Sequence, residues 1–132
     1  MHPFRAAVEA RDADAMEALL AENVVFTSPV AFKPYPGKPI TAAILRGVMR
    51  VFEDFRYVRE IDAGHDHALV FEATVDGKAI TGCDFLHTND DGLIDDFMVM
   101  VRPLSAATAL AARMGAEFEQ IGREAAEAAS AS

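Results

Sequence analysis

Cysteine is nearly missing from this sequence, since Cys83 is the only one among 132 residues. A single thiol cannot form an internal disulfide or an all-cysteine metal site. Basic residues are also scarce: 12 Lys and Arg stand against 21 Asp and Glu, which gives a net charge of −9. Nucleic acids and anionic membrane surfaces bind clustered cations, so both are disfavoured as partners. A glycine-rich phosphate loop is also missing, and we expect no cofactor.

Long apolar runs and targeting signals are missing too. No stretch approaches the ~18 continuous apolar residues of a membrane span. The start, Met-His-Pro-Phe-Arg-Ala-Ala, lacks the basic and apolar regions of a signal peptide, which predicts a cytoplasmic protein. Hydrophobic residues still make up 52% of the chain, enough for one core. We predict one domain over residues 1–118, then a helix end and a frayed Ala/Ser tail over residues 119–132.

The order of the predicted elements indicates an α+β fold. Apolar spacing predicts two short N-terminal helices, a helix over residues 42–54 capped by Thr41, and a C-terminal helix from Leu104. Alternating apolar residues predict a strand over 24–28 and four later strands joined by tight turns. The four prolines within 29–39 predict an irregular loop. We therefore expect a strongly curved antiparallel sheet wrapped around the N-terminal helices.

Both faces of the predicted sheet are apolar. Side chains alternate along a strand, so one face would line the core and the other would be exposed. A homodimer packed through the exposed face would bury it, and the alternative is that the C-terminal helix covers it. The residues predicted for this outer patch are Cys83, Phe85, Met98 and Met100.

Asp84 is the strongest candidate for chemistry, because it is a single acid on an apolar strand face. Burial disfavours its charged form, and a raised pKa would let it donate a proton near neutral pH. The alternative is a structural acid with all its hydrogen bonds made. Tyr57 could place its hydroxyl beside Asp84, or it could be an amphipathic edge residue. Gly82 and Ala73 are expected to leave space nearby. We predict Asp84 and Tyr57 as catalytic residues.

An internal apolar cavity, closed near the proline-rich loop, is predicted to bind a small apolar molecule. Its alternative is a core filled by the chain's own side chains, methionines included. Ser28 is its polar member, although its hydroxyl could instead cap the turn at Pro29. The predicted substrate-binding residues are Phe26, Ser28, Phe52, Phe71, Leu86, Val99 and Val101.

No metal site is predicted. His65 and His67 flank a turn residue, but a third ligand at suitable spacing is not evident, so we interpret both as surface residues. His87 falls on the outer face of its strand, where it would meet a dimer partner or water.

Three stretches are typical of one known family: the run from Asp12 to Pro29, Asp84-Phe followed by Asp91-Gly-Leu-Ile, and the final Met-Val-Arg-Pro. Over residues 2–118 the chain thereby resembles the nuclear-transport-factor-2-like superfamily, in its SnoaL-like, ketosteroid-isomerase-like branch. The resemblance implies a cone-shaped fold with a deep apolar cavity, and dimers formed through the outer sheet face.

The resemblance also implies a choice of functions, from isomerases, cyclases, dehydratases and epoxide hydrolases to proteins without chemistry. Steroid isomerases of this kind use an aspartate base, a tyrosine and a protonated aspartate, at positions that match Ser28, Phe4 and Asp84. The base and the phenol are thus absent here, which argues against that reaction. The epoxide hydrolases carry an Arg two residues before their Asp, where this chain has Gly82.

Three hypotheses remain open at the level of sequence. The first is a cofactor-independent enzyme acting on a small apolar carbonyl or polyketide-like compound, with Asp84 as general acid or base and Tyr57 orienting the substrate. The second is a non-catalytic binding protein for an apolar ligand. The third is a structural dimeric module without a ligand.

Overall fold

The structure is a computed structural model that describes residues 1–131, with side chains as far as residue 130. Ser132, at the end of the predicted Ala/Ser tail, lies outside the described residues. The elements are α1 (Pro3–Glu9), α2 (Ala13–Ala18), β1 (Leu20–Thr27), β2 (Tyr35–Pro36), α3 (Lys38–Val51), β3 (Glu53–Ala63), β4 (Asp66–Val75), β5 (Lys78–Thr88), β6 (Ile94–Arg102) and α4 (Leu104–Ala131).

The strands form one curved, unclosed sheet in the order β2-β1-β6-β5-β4-β3. Strands β3 to β6 are antiparallel neighbours, whereas β1 pairs with β6 in parallel. Register shifts in the β1–β6 and β3–β4 ladders mark bulges, which bend a sheet locally. The predicted α+β fold, with a curved sheet wrapped around helices, is confirmed.

The segment between β1 and α3 is more ordered than its prolines predicted. Strand β1 begins at Leu20 rather than at residue 24, and the expected loop contains β2. Helix α3 begins at Lys38, because Gly37 adopts a φ of 103° before it and a proline occupies its first turn. The prediction that Thr41 caps this helix was wrong. Thr41 lies inside the first turn, where its hydroxyl donates a hydrogen bond to the Gly37 carbonyl at 2.8 Å.

The two sheet faces divide as the alternation predicted. On β4 and β5, Leu69, Phe71 and Leu86 are buried on the concave side, whereas Phe85 is 38% exposed on the convex side. Met100 of β6 is 53% exposed there. Helix α4 packs against α3 and lines the concave side, so it leaves the outer patch bare in a single chain.

Helix α4 is continuous across the predicted domain end at residue 118. Ile121 is fully buried, and its side chain packs beside Gly47 of α3. Fraying at the end of this helix stays a prediction. None of the described helices is long and apolar enough to cross a membrane.

Candidate functional site

A cavity of about 180 Å³ lies between the concave sheet face and helices α1, α3 and α4. Its wall is mainly apolar, and its exposed lining residues, Glu9 and Arg11 at the end of α1, mark its mouth. Aromatic rings form much of the wall, namely Phe4, Phe26, Phe52, Phe55, Phe71 and Phe97.

Two polar side chains meet in this apolar wall. Asp84 stands opposite Leu69 and Val99 in the ladders of β5, which places its carboxyl on the concave face. Tyr57 projects from β3, two strands away, and both residues are only 6% exposed. The Tyr57 hydroxyl donates a hydrogen bond to Asp84 Oδ2 at 2.6 Å. The sheet order therefore joins a phenol and an acid that are 27 residues apart in sequence.

Burial controls the charge of this pair. It raises the pKa of the Asp84 carboxyl from 3.8 to about 7, and the hydrogen bond from Tyr57 opposes this rise only in part. Burial and the adjacent Asp84 raise the pKa of Tyr57 well above its ordinary value, so the phenol keeps its proton. Asp84 is thus the member of the pair that gains and loses a proton near neutral pH.

The other carboxyl oxygen, Asp84 Oδ1, makes no hydrogen bond within the described part of the chain. No described side-chain oxygen is both fully buried and without a partner, so Oδ1 must be accessible. Because Asp84 lines the cavity, Oδ1 is accessible from there. Because Oδ2 accepts the hydrogen bond from Tyr57, the acid proton of a neutral Asp84 belongs on Oδ1. The carboxyl can therefore donate or accept a proton at the cavity wall.

Most residues predicted for the site meet at this cavity. Leu86 and Val101 do not line it. Leu86 lies opposite Phe97, whose ring forms the wall at that level, and Val101 lies opposite Gly82. The predicted residues that do line it are Phe26, Ser28, Phe52, Tyr57, Phe71, Asp84 and Val99.

The free space predicted beside Gly82 is filled. A Cβ atom at this position would overlap the Phe71 ring and would lie 2.9 Å from the Met100 carbonyl oxygen. Gly82 therefore makes room for an aromatic side chain of its own core rather than for a ligand.

Two charged residues that line the cavity, Glu9 and Arg11, were not predicted. The sequence carries a partial signal for Arg11, because the spacing of Phe4, Val8 and Arg11 is that of one helix face. Ser28, which was predicted, also lines the cavity, and its hydroxyl accepts the Val30 N–H at 3.1 Å.

The histidines lie outside this cavity. His67 contacts Asp62 at 2.6 Å, and His65 lies 3.5 Å from Asp90. Among the described residues, no group of three or more His, Cys, Asp or Glu side chains could hold a metal ion.

Comparisons with known proteins agree on the fold. The SnoaL-like domain family matches residues 2–97. A steroid delta-isomerase of Pseudomonas aeruginosa is 39% identical over 89% of this chain and 87% of its own, with a TM-score of 0.84. A protein with a cystatin-like fold from Silicibacter pomeroyi is 37% identical over 93% and 90%, with a TM-score of 0.87.

A more distant structure has the same fold. An NTF2-like protein of Cytophaga hutchinsonii is 22% identical over 76% of this chain and 85% of its own, with a TM-score of 0.59. Among curated proteins, no match was found.

Proposed function

Since the chain belongs to the SnoaL-like domain family, we propose that it is a cofactor-independent enzyme of the isomerase or cyclase type. Its substrate is a small, mainly apolar carbonyl compound, and Asp84 is the residue that transfers a proton. The observation that carries this proposal is a buried carboxyl with one oxygen held by Tyr57 and the other free at the cavity wall.

The chemistry follows from the two protonation states of Asp84. In the neutral state, which forms when Asp84 has taken up a proton, Oδ1 can donate a hydrogen bond to the oxygen of an enolate and can return the proton to a carbon of that enolate. In the ionised state, the same oxygen can remove a proton from a carbon adjacent to the substrate carbonyl. A pKa of about 7 keeps both states populated near neutral pH. Tyr57 is a positioning residue, because it fixes the carboxyl and reserves Oδ1 for the substrate.

The size of the cavity supports a substrate with a single ring. A cavity of about 150 Å³ can hold benzene, and this one measures about 180 Å³. Drug-sized ligands occupy about 300–1,000 Å³. The Pseudomonas aeruginosa relative is a steroid delta-isomerase, but here Phe4 and Ser28 occupy the positions matched to the phenol and the base. We therefore propose a substrate smaller than a steroid.

A non-catalytic binding protein is the second candidate. It is favoured by the small number of titratable groups, since Asp84 and Tyr57 are the only ones among the buried, described residues that line the cavity. A single acid contributes on the order of 10²–10⁴-fold to a rate. In this alternative, Asp84 would only hold the polar end of a ligand.

The first experiment measures binding of substituted phenols, which mimic an enolate oxygen. Wild type and Asp84→Leu are titrated from about pH 5 to 9 with phenols of graded acidity. We expect affinity to increase with phenol acidity, to change with pH around a midpoint near 7, and to disappear in Asp84→Leu. Equal binding of the phenols by both proteins would show that Asp84 does not contact the ligand.

A second assay separates the enzyme from the binding protein. Deuterium exchange next to the carbonyl of small cyclic ketones is followed by NMR for wild type and Asp84→Asn. The amide can still accept the Tyr57 hydrogen bond but cannot transfer a proton. We expect the variant to bind the ketones and to lose on the order of 10²–10⁴-fold in exchange rate. Binding without exchange by wild type would favour the binding protein.

We also propose that the chain forms a homodimer through its outer patch. Phe85 and Met100 are 38% and 53% exposed on that face, and Cys83 and Met98 beside them are half-buried. A charge at Phe85 should separate the dimer, so light scattering should give a dimer for wild type and a monomer for Phe85→Glu. Phe32→Glu is the control, because Phe32 is 96% exposed on a loop. A monomeric wild type would contradict the proposal.

A further inference from the structure

Arg11 is the only positively charged side chain among the described residues that line the cavity. It is exposed, whereas Asp84 is buried, so the two charged groups mark the mouth and the interior of the same space. Arg11 has no role in the proposed proton transfer at Asp84.

The backbone holds Arg11 in a conformation that usually selects glycine. Helix α1 ends in a Schellman motif, in which the Arg11 N–H donates to Val8 O and the Asp12 N–H donates to Ala7 O, both at 2.9 Å. Arg11 has a φ of 54° there, in the left-handed region that Cβ-bearing residues disfavour. This turn brings a long cationic side chain, rather than a glycine, to the cavity mouth.

The guanidinium of Arg11 has no carboxylate partner among the described residues. Among the described residues, its one side-chain hydrogen bond runs from Nη2 to the Met49 carbonyl oxygen at 3.4 Å, in the last turn of α3, so most of its five N–H donors are unused. Arg46, Arg50 and Arg113, by contrast, each contact a carboxylate within 2.9 Å. These three arginines pair with carboxylates of the protein itself, whereas Arg11 is available to an external anion.

The neighbouring acid, Glu9, does not pair with Arg11. Glu9 also lines the cavity, but its carboxylate contacts Arg5 at 3.4 Å. The protein as a whole carries a net charge of −9 and repels anions. An anionic ligand would therefore need a local cation at the mouth, and a guanidinium matches the two oxygens of a carboxylate.

We propose that the ligand of this cavity is a small organic acid. Its ring lies in the apolar interior, an oxygen at one end meets Asp84, and a carboxylate at the other end pairs with Arg11 at the mouth. This assignment deepens the proposed function and rests on it for the placement of the ring and the inner oxygen.

The test compares a neutral phenol with phenols that carry a carboxylate. The probes are para-cresol, para-hydroxyphenylacetate and para-hydroxyphenylpropionate, whose phenolic groups have similar acidity and whose carboxylates lie at increasing distances from the ring. Calorimetry at low salt should show the better-fitting acid binding wild type roughly 3- to 10-fold more tightly than para-cresol. The preference should shrink as salt is added.

Two variants identify the cation. In Arg11→Gln, which keeps a Cβ at the left-handed position, we expect the acid and para-cresol to bind equally, or the acid more weakly. Arg123→Gln removes an exposed arginine of α4 that pairs with Glu119, and it should keep the preference of wild type. If Arg11 served only to hold the end of α3, its loss would weaken both ligands alike, and the unchanged ratio would overturn the inference.

The remaining outcomes separate this inference from the proposed function. Binding of para-cresol without any preference for the acids would overturn the role of Arg11 and leave the proposed function standing. Binding of the acids through Arg11, with no binding of para-cresol and no effect of Asp84→Leu, would retain the acid ligand and overturn the proton-transfer site. If no probe bound wild type, both proposals would fail.

Discussion

Replacing Asp84 by Asn should remove a pH-dependent destabilisation of the fold. The substitution keeps the size of the side chain and an oxygen that can accept the Tyr57 hydrogen bond. What it removes is the titration. In the folded protein burial raises the pKa of Asp84, so between the unfolded and the folded pKa the native state holds a proton that the unfolded chain has released. Stability must therefore fall as the pH rises through this window.

The magnitude follows from the width of the window. The pKa rises from 3.8 to about 7, a change of about 3 units. Each unit corresponds to about 1.36 kcal/mol, so wild type should lose about 4 kcal/mol relative to Asp84→Asn between acidic and mildly alkaline pH. The stabilising form is the neutral acid, and its contribution to stability is complete below the unfolded pKa. Above the folded pKa the protein carries a buried carboxylate with one hydrogen bond from Tyr57.

Urea denaturation of both proteins at about pH 3, 4.5, 6, 7 and 8.5 would measure this difference. Subtracting the two curves cancels every other titrating group, so the slope that remains belongs to Asp84. Asp91→Asn, the same change of residue type in the exposed turn before β6, is the matched control. A constant difference between wild type and Asp84→Asn would refute the reasoning. So would a wild type that becomes relatively more stable as the pH rises.

Two further substitutions test the surroundings of Asp84, and a third, in α4, is the control for the glycine change. Tyr57→Phe removes the hydrogen bond that lowers the pKa of Asp84, so the pH midpoint of phenol binding should move above about 7. An unchanged midpoint would show that Tyr57 does not act on the acid. Gly82→Ala should destabilise the fold by about 1–3 kcal/mol in urea, because its methyl group would overlap the Phe71 ring. Gly115→Ala in α4 meets no atom within 4 Å and should stabilise by up to ~1 kcal/mol.

The fold was largely predictable because alternation along the antiparallel strands is a local signal. It divided β4, β5 and β6 into the buried and exposed faces that the structure has. The parallel pairing of β1 with β6 has no such signal, since it depends on contacts such as that of Leu20 with Ile94. The start of α3 was missed for a different reason. Closely spaced prolines are typical of a loop, although a proline also fits the first turn of a helix.

Alternation predicts on which sheet face the site residues lie, but not which of them, along the strand, line the cavity. Alternation places Asp84, Leu86 and Gly82 on one side of β5, yet only Asp84 lines the cavity. Position along the strand decides this, because the rings of Phe71 and Phe97 cover the two ends. The contact between Tyr57 and Asp84 depends on the strand order β5-β4-β3, and Arg11 depends on how α1 ends. Neither follows from the periodicity of a single segment.

Incomplete hydrogen bonding of Asp84 supports a function for this residue more strongly than any of its other features. A structural acid would have both oxygens satisfied, and its ionised form would then be tolerated. Here Tyr57 satisfies Oδ2 alone, and at neutral pH the carboxyl opposes folding by a few kcal/mol. Leucine cannot ionise, so it would lack that opposition. We therefore expect Asp84→Leu to be more stable than wild type above about pH 7 and unable to bind phenols, a combination typical of a binding or catalytic group.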